Sequence, residues 1–422
     1  MLDIKKIVND TENVEKALLK RMDKTALHLE QIVSQYHEYK STQQEFEKKR
    51  AEQNAFNDKI ASLDKKGKKF RAAVSRMKQL SKDVKKLEID ARDLHDKMIK
   101  QVEVLPNIPD KDVPAGGKKS NAVVKECLTK PEFDFEPKDH VELATKLGLV
   151  DFERATKMAG AQFVMYRSDG ALLEWALINF FIRQHLDSGY EMILPPHLLS
   201  EESAYTAGQL PKFRDDVYWV QDGNCLLPTA ETALANLYRD EVLDEQDLPK
   251  RLFSYTPCYR REAGSYRAKE RGLMRVHQFN KVEMFQYTTE KDSDGALDEM
   301  VKKACNLVEK LGLHFRVSKL AAGDCSAPAS KTYDIEVWMP FIGEYYEVSS
   351  ASNARDYQAR RGNIRYKPAD GGKSKYVHML NASGLATSRL MVAILESYQQ
   401  KDGSIRVPEV LQDYVGKNVV KQ

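Results

Sequence analysis

Tyr259–Phe285 reads YRREAGSYRAKERGLMRVHQFNKVEMF. The stretch is dense in arginine, yet it carries carboxylates near both ends, Glu262 and Glu283. Arg251-Leu252-Phe253-Ser254-Tyr255 leads into it, and Phe279 to Phe285 alternates apolar and polar residues, so its ends read as strands. Ala263-Gly264-Ser265 and the residues after them read as a loop, which makes the whole two antiparallel strands with a long connection. Guanidinium groups grip phosphate oxygens through planar, two-pronged hydrogen bonds. Phe279, just past Arg275-Val276-His277-Gln278, offers a stacking face for a base, and a nearby carboxylate can accept from an amine. That set suits a nucleotide triphosphate together with an amino compound. The plainer alternative is a surface hairpin whose charges are simply solvated.

A chain of 422 residues, 42% hydrophobic and 31% charged, has apolar material for a large core and suggests two or three domains. The net charge of +3 is small, so any nucleic-acid site must come from local clustering. Cys127, Cys225, Cys258, Cys305 and Cys325 are scattered without C-x-x-C spacing, which argues against a zinc site or a disulfide framework and for a reducing cytoplasm. The opening MLDIKKIVNDTENV has no apolar signal region, and no run of 18 apolar residues exists to span a membrane.

Between Thr25 and Val104 there is no proline and one glycine, Gly67. Phe70, Val74, Met77, Leu80 or Ser81, Val84, Leu87, Ala91, Leu94, Met98 and Val102 recur at alternating steps of three and four, the mark of a coiled-coil seam. Leu29, Ile32 or Val33, Tyr36, Tyr39, Phe46 and Ile60 form a weaker stripe before it. The pattern predicts two antiparallel helices of about 50 Å each, meeting near Gly67. Around the tip lie Lys65, Lys66, Lys68, Lys69, Arg71, Arg76 and Lys78, with few acids to oppose them. They are ordinary solvated lysines and arginines of a coiled coil, or an arm that follows a phosphate backbone by charge and shape. The arm and what precedes it form a first domain, 1–104. Leu105-Pro106-Asn107-Ile108-Pro109 and Pro114-Ala115-Gly116-Gly117 end the helix and open a linker, 105–135.

The remainder, 136–422, mixes helices and strands without a βαβ rhythm, so an antiparallel sheet flanked by helices is expected and the fold class is α+β. Ala171–Leu186 is an apolar helix, followed by the short strand Glu191–Leu194 and Pro195-Pro196. Such a helix must be buried or meet a partner subunit. Pro228-Thr229-Ala230-Glu231 places a hydroxyl and a carboxylate at a helix start, where they could serve merely as caps. In Glu347-Val348-Ser349-Ser350, period two sets Glu347 and Ser349 on one strand face, and the strand is expected to stop so that Ser350 turns toward the same site. A carboxylate with a hydroxyl suits hydrated Mg2+ between phosphates. His378 to Arg389 runs from a strand through small residues into a helix carrying Arg389.

Arg260-x-Glu262 followed by Arg275-x-x-x-Phe279 resembles motif 2 of the class II aminoacyl-tRNA synthetases. The helix–strand–proline order around Pro196 resembles motif 1, and Gly384 to Arg389 resembles motif 3. The wording REAGS, RGLMRVHQFNKVE, PTAE, LPNIP and IRVPEVLQDYVG is similar to the seryl branch, of the bacterial or eukaryal kind, nearly end to end.

The resemblance implies a ligase that joins L-serine to ATP and passes seryl to the 3′ end of tRNA(Ser), with selenocysteine tRNA an open second acceptor. It implies a homodimer in the cytoplasm, Mg2+ with the ATP, no structural zinc and no membrane association. By resemblance Thr229, Ala230, Glu231, Glu283, Asn381 and Ser383 hold serine, with Glu283 accepting from its hydroxyl. Arg260 bridges the serine carboxylate and the α-phosphate. Arg261, Glu262, Arg275, Val276 and Phe279 address ATP, as do Glu347, Val348, Ser349, Ser350 and Arg389. Glu347 and Ser350 hold the metal, and Arg260 and Arg389 are the catalytic arginines. Arg267 and Lys269 depart from the family's usual glycine and acid, which makes the motif 2 loop more basic. Two other readings stand beside this one: a serine-activating relative that loads a different acceptor, and a non-catalytic RNA-binding paralogue.

Overall fold

The computed structural model describes residues 1–61, 67–262 and 271–422. Lys65 and Lys66 of the arm, and Arg267 and Lys269 of the motif 2 loop, lie outside the described residues. The chain divides into two units, Leu2–Pro106 and Asn107–Gln422, the second including Met1.

The first unit is built on helices α1 (Leu29–Ala61) and α2 (Lys68–Glu103). They run antiparallel: Tyr39 meets His95, with ring centroids 5.3 Å apart, and Gln53 donates to Ser81 Oγ at 2.8 Å. Neither helix could hold such length alone in water, and each buries a stripe on the other. Leu29, Ile32 and Phe46 are buried on α1, and Leu80, Val84, Ala91, Met98 and Val102 on α2. Near the tip the seam departs from the expected one. Ala73 is buried while Val74 is 44% exposed, so the apolar stripe turns by one residue there. Gln35 also lies buried, a polar residue that an apolar period cannot reveal. Helix α2 ends just before Leu105-Pro106, as the backbone of a residue preceding proline requires.

The second unit is organised by an eight-stranded sheet. Its strands are β1 (Ala122–Cys127), β2 (Glu191–Met192), β3 (Lys250–Tyr259), β4 (Gln278–Thr288), β5 (Phe315–Lys319), β6 (Lys331–Met339), β7 (Glu344–Asn353) and β8 (His378–Ala386). Their spatial order is β1-β5-β6-β7-β8-β4-β3-β2. All neighbours are antiparallel except β2, which pairs in parallel with Leu252 and Phe253 of β3. Residues from Asn107 onward are stapled to this unit: Asn107 Nδ2 donates to Pro328 O at 2.8 Å and Ala354 O at 2.7 Å.

Three helices cover the sheet: α3 (Ser168–Asp187), α4 (Ser293–Lys310) and α5 (Thr387–Ser397). On α3, Leu173, Leu177, Phe180 and Phe181 enter the core, while Leu172, Trp175 and Leu186 remain exposed. His185 of α3 approaches Gly384 of β8, its Nε2 lying 2.8 Å from the carbonyl. A Cβ at residue 384 would stand 2.4 Å from that nitrogen, so only glycine admits the contact. Burial pushes His185 down to about 4, and the ring stays neutral. Glu174, also on α3 and buried, accepts from Asn280 of β4 at 2.8 Å and from Thr387 of α5. One carboxyl group thus ties together the three segments that carry the sequence motifs.

Candidate active site

Strand β4 does most of the positioning. Its period of two sets Phe279, Lys281 and Glu283 on one face. Ser383 of β8 lies directly opposite Glu283 in register, and Asn381 donates to Glu283 Oε1 at 3.2 Å. Thr229, just before a one-turn helix at Glu231–Leu234, accepts from Lys281 Nζ at 2.7 Å and from the Glu231 amide at 3.3 Å. Thr229, Ala230, Glu231, Lys281 and Glu283 are all buried. Burial, and then the charge of Glu283, pushes the Glu231 carboxyl up to about 7, against the opposing influence of Gln358, Lys281 and Arg260.

Beside this polar nest lies a cleft lined by arginines. Arg260, Glu262, Arg275, Val276, Phe279, Lys281, Glu347, Val348, Ser383 and Arg389 all face it. Arg260 follows the end of β3, where its amide and the His277 carbonyl bond at 2.9 Å. Its Nε donates to Pro228 O at 3.2 Å, and its guanidinium sits 5.2 Å from the centre of the Phe279 ring. Arg275 pairs with Glu262. Arg389 donates to the Glu347 carbonyl at 2.8 Å and lies 3.5 Å from its carboxylate. Arg261 is exposed and turns toward the Tyr218 ring at 5.7 Å.

The expected face pairing on β7 needs correction. The strand does not stop after Ser349 but runs on to Asn353. Its register with β6 shifts between Glu347 and Ser349, so Val348 is the extra residue of a bulge. Glu347 therefore stands opposite Glu336 and Ser350 opposite Asp334, two residues on the same face of β6. The bulge puts Glu347 with Ser350, and Ser349 points the other way, donating to Ser383 O at 2.6 Å. Ser349 is fully buried and supports the neighbouring strand.

The family model described as "Seryl-tRNA synthetase N-terminal domain" matches residues 1–109, and the one described as "tRNA synthetase class II core domain (G, H, P, S and T)" matches residues 218–398. "Serine--tRNA ligase 2" of Clostridium acetobutylicum is 53% identical over 425 residues, spanning 99% of this chain and 100% of that protein. The chain belongs to the seryl-tRNA synthetase family. The "Serine--tRNA ligase" of Petrotoga mobilis is 44% identical over the full length of both proteins. A crystal structure of seryl-tRNA synthetase from Pyrococcus horikoshii complexed with ATP matches with a TM-score of 0.94 at 33% identity, covering 100% of this chain and 99% of that one. The cytoplasmic serine-tRNA ligase from Naegleria fowleri, in complex with AMP, matches with a TM-score of 0.88 at 25% identity.

Two residues of this seryl-tRNA synthetase fold were not singled out from the sequence. Lys281 sits two positions before Glu283 on an alternating strand, so period two already placed both on one face. Gln358, whose Nε2 donates to Glu231 Oε1 at 2.7 Å and to Ala207 O at 2.8 Å, gives no local signal, being 127 positions away. On the arm, Lys68, Lys69, Arg71 and Lys78 are exposed. Arg76 is exposed too, but engaged: it pairs with Glu52 at 3.0 Å and lies 5.0 Å over the Phe56 ring. Among the described residues no group of three or more His, Cys, Asp or Glu side chains could hold a metal, and no helix is long and apolar enough to cross a membrane.

Proposed function

We propose that the chain activates L-serine with ATP and transfers the seryl group to the 3′ end of tRNA(Ser). The observation that carries this reading is a buried nest of two carboxylates and a hydroxyl, Glu231, Glu283 and Thr229, opening beside a cleft lined by Arg260, Arg275 and Arg389. Such a nest suits an ammonium and an alcohol, and the cleft suits a triphosphate.

In the first step a serine carboxylate oxygen attacks the α-phosphorus of ATP. The bond to the bridging oxygen breaks, and pyrophosphate leaves. Arg260 spans the serine carboxylate and the α-phosphate in this reading and holds the charge that moves between them. Glu231 and Thr229 take the substrate ammonium, and Glu283, supported by Asn381 and Ser383, takes the hydroxyl. Phe279 and the backbone around Glu262 and Val276 receive the base, while Arg275 and Arg389 hold the outer phosphates once their carboxylate partners give way. In the second step the terminal tRNA hydroxyl attacks the seryl carbonyl carbon and AMP departs. No side-chain nucleophile is needed, so catalysis rests on alignment and charge.

Glu347 and Ser350, brought to one face by the bulge, offer a carboxylate and a hydroxyl oxygen, which fit Mg2+ carried in with ATP. When bound, that ion neutralises charge on the phosphates. The exposed basic residues of the arm, Lys68, Lys69, Arg71 and Lys78, favour a phosphate backbone as its partner. Exposed Val123, Val124, Leu172, Trp175 and Leu186 support a homodimer, and the cytoplasm is the proposed compartment.

Aminoacylation of total tRNA by the full chain tests the reading: labelled serine is expected on the 3′ end, and transfer to no tRNA would overturn it. Two variants probe the nest. Glu283→Ala is expected to raise the KM for serine about 100-fold, since a buried hydroxyl site loses its acceptor, while the KM for ATP changes less than threefold. Equal loss of both would remove Glu283 from the serine pocket.

Glu231 gives a pH signature. An acid whose folded value is raised from 4.5 to about 7 keeps its proton in the folded protein over the window in which the unfolded chain has lost it. Stability from this group is therefore full below 4.5 and declines as pH rises toward 7. Serine binding goes the opposite way, because the ammonium needs the ionised carboxylate. The KM for serine is expected to fall about tenfold per unit as pH rises toward 7 and then level off. In Glu231→Gln the profile is expected to be flat at a high KM; an unchanged slope would exclude Glu231 as the titrating group.

A further inference from the structure

The serine nest contains two buried carboxylates, and serine brings two groups that a carboxylate welcomes, an ammonium and a hydroxyl. Geometry alone does not say which end goes where. Both Glu231 and Glu283 attract the cation more strongly than the alcohol, because a charge-assisted pair outweighs a neutral donor at low dielectric. A nest that accepted serine in both senses would hold the carboxylate in line with ATP in only one of them.

Lys281 breaks this symmetry. Its ammonium is 2.6 Å from Glu283 Oε2 and donates to Thr229 Oγ1 at 2.7 Å. Both side chains of the ion pair are buried, 7% and 1% exposed. The lysine is fixed on the Glu283 side by period two, since both residues stand on the same face of β4. Among the described residues no cation stands at ion-pair distance from Glu231: its carboxylate accepts from the neutral amide of Gln358, and Lys281 and Arg260 act on it only through space. Glu283 Oε2 nevertheless accepts no hydrogen bond, although the ammonium that neutralises it lies 2.6 Å away. One carboxylate is thus charge-compensated and still wants a hydrogen bond. The other has no cation in contact and wants one.

Resting on the reading of this nest as the serine site, we propose that Lys281 is a specificity-setting positioning residue. It acts through Glu283, directing the substrate ammonium to Glu231 and reserving Glu283 for a neutral hydroxyl donor. With Glu231 ionised, as serine binding requires, the nest then carries one unbalanced negative charge, matched to one substrate ammonium, and opposes a side chain that brings a second positive charge.

The test uses L-2,3-diaminopropionate, which is serine with an amine in place of the hydroxyl, in ATP–pyrophosphate exchange at pH 6.5 with the full chain. The wild type is expected to prefer serine by at least 100-fold in kcat/KM. In Lys281→Met the KM for serine is expected to rise at least 30-fold, with the KM for ATP within threefold of wild type. The serine-to-diaminopropionate ratio is expected to narrow at least tenfold. Lys281→Gln should behave alike, and Lys281→Arg, which keeps the charge, should hold the ratio within threefold of wild type. A loss of packing alone would lower both substrates together and leave the ratio unmoved. An unchanged ratio in Lys281→Met or Lys281→Gln overturns the inference, as does a collapsed ratio in Lys281→Arg. Should Lys281→Met fail to fold, as read from ATP-dependent thermal shift, the other two variants decide. Absence of serine-dependent exchange in the wild type would instead remove the serine reading itself.

Discussion

Arg260→Ala is expected to lower the kcat of serine-dependent pyrophosphate exchange by about 10²–10³-fold, the range seen when one preorganised charge stabiliser is removed. The guanidinium is held before any ligand arrives: the backbone of Arg260 pairs with His277, its Nε is tied to Pro228, and Phe279 lies beneath it. Little reorganisation is then needed as charge moves onto the α-phosphate. Arg260→Lys should recover less than a tenth of the lost rate, because an ammonium cannot hold the Pro228 carbonyl and two anionic groups in one plane. Rapid-quench measurement of seryl-adenylate formation separates this effect from binding. A fall smaller than tenfold would mean that another group carries the charge.

Removing Thr25–Val104 is expected to leave pyrophosphate exchange within threefold of the full chain and to lower tRNA charging at least 10³-fold. The reason lies in the division of labour. Leu2–Pro106 forms its own unit with its own seam, and every residue assigned to serine and ATP lies in Asn107–Gln422. A milder variant reverses the exposed charges, Lys68→Glu, Lys69→Glu, Arg71→Glu and Lys78→Glu, leaving the buried seam intact. It should weaken tRNA binding and make the salt dependence of log affinity shallower by about four. Arg76 is left out because Glu52 already engages it. Charging that survives the deletion would refute the assignment of the arm.

The two strands at the ends of Tyr259–Phe285 were legible from their apolar and polar residues, while Ala263-Gly264-Ser265 and the rest of the expected loop to Glu270 lie outside the described residues; the three motif segments follow in the order that builds one site. The arm was legible from its period, although the seam turns from Val74 to Ala73 near the tip, where a small residue suits close helix approach and period alone cannot choose. The bulge at Val348 was not legible. An extra residue in a strand leaves the composition unchanged and reverses which side chains share a face, so period two sets Ser349 beside Glu347, and it is the bulge, not an end of the strand, that brings Ser350 there. Gln358 was hidden by distance along the chain. Lys281 was visible in the pattern but looked like one more strand-face charge, and its burial against Thr229 and Glu283 is what gives it meaning. The Glu262–Arg275 pair is likewise unreadable, since the two residues stand 13 positions apart on either side of the loop and no local pattern joins them.

One pocket that joins a triphosphate cleft to a nest requiring an alcohol must choose among amino acids by their side-chain hydroxyl. Amino-acid-dependent ATP–pyrophosphate exchange tests it most directly, with serine, alanine, threonine and glycine compared on the full chain. Exchange is expected with serine, and a kcat/KM for alanine lower by about 10⁴-fold, because alanine leaves Glu283 and its buried partners short of a donor. Alanine or glycine driving exchange as well as serine would contradict it.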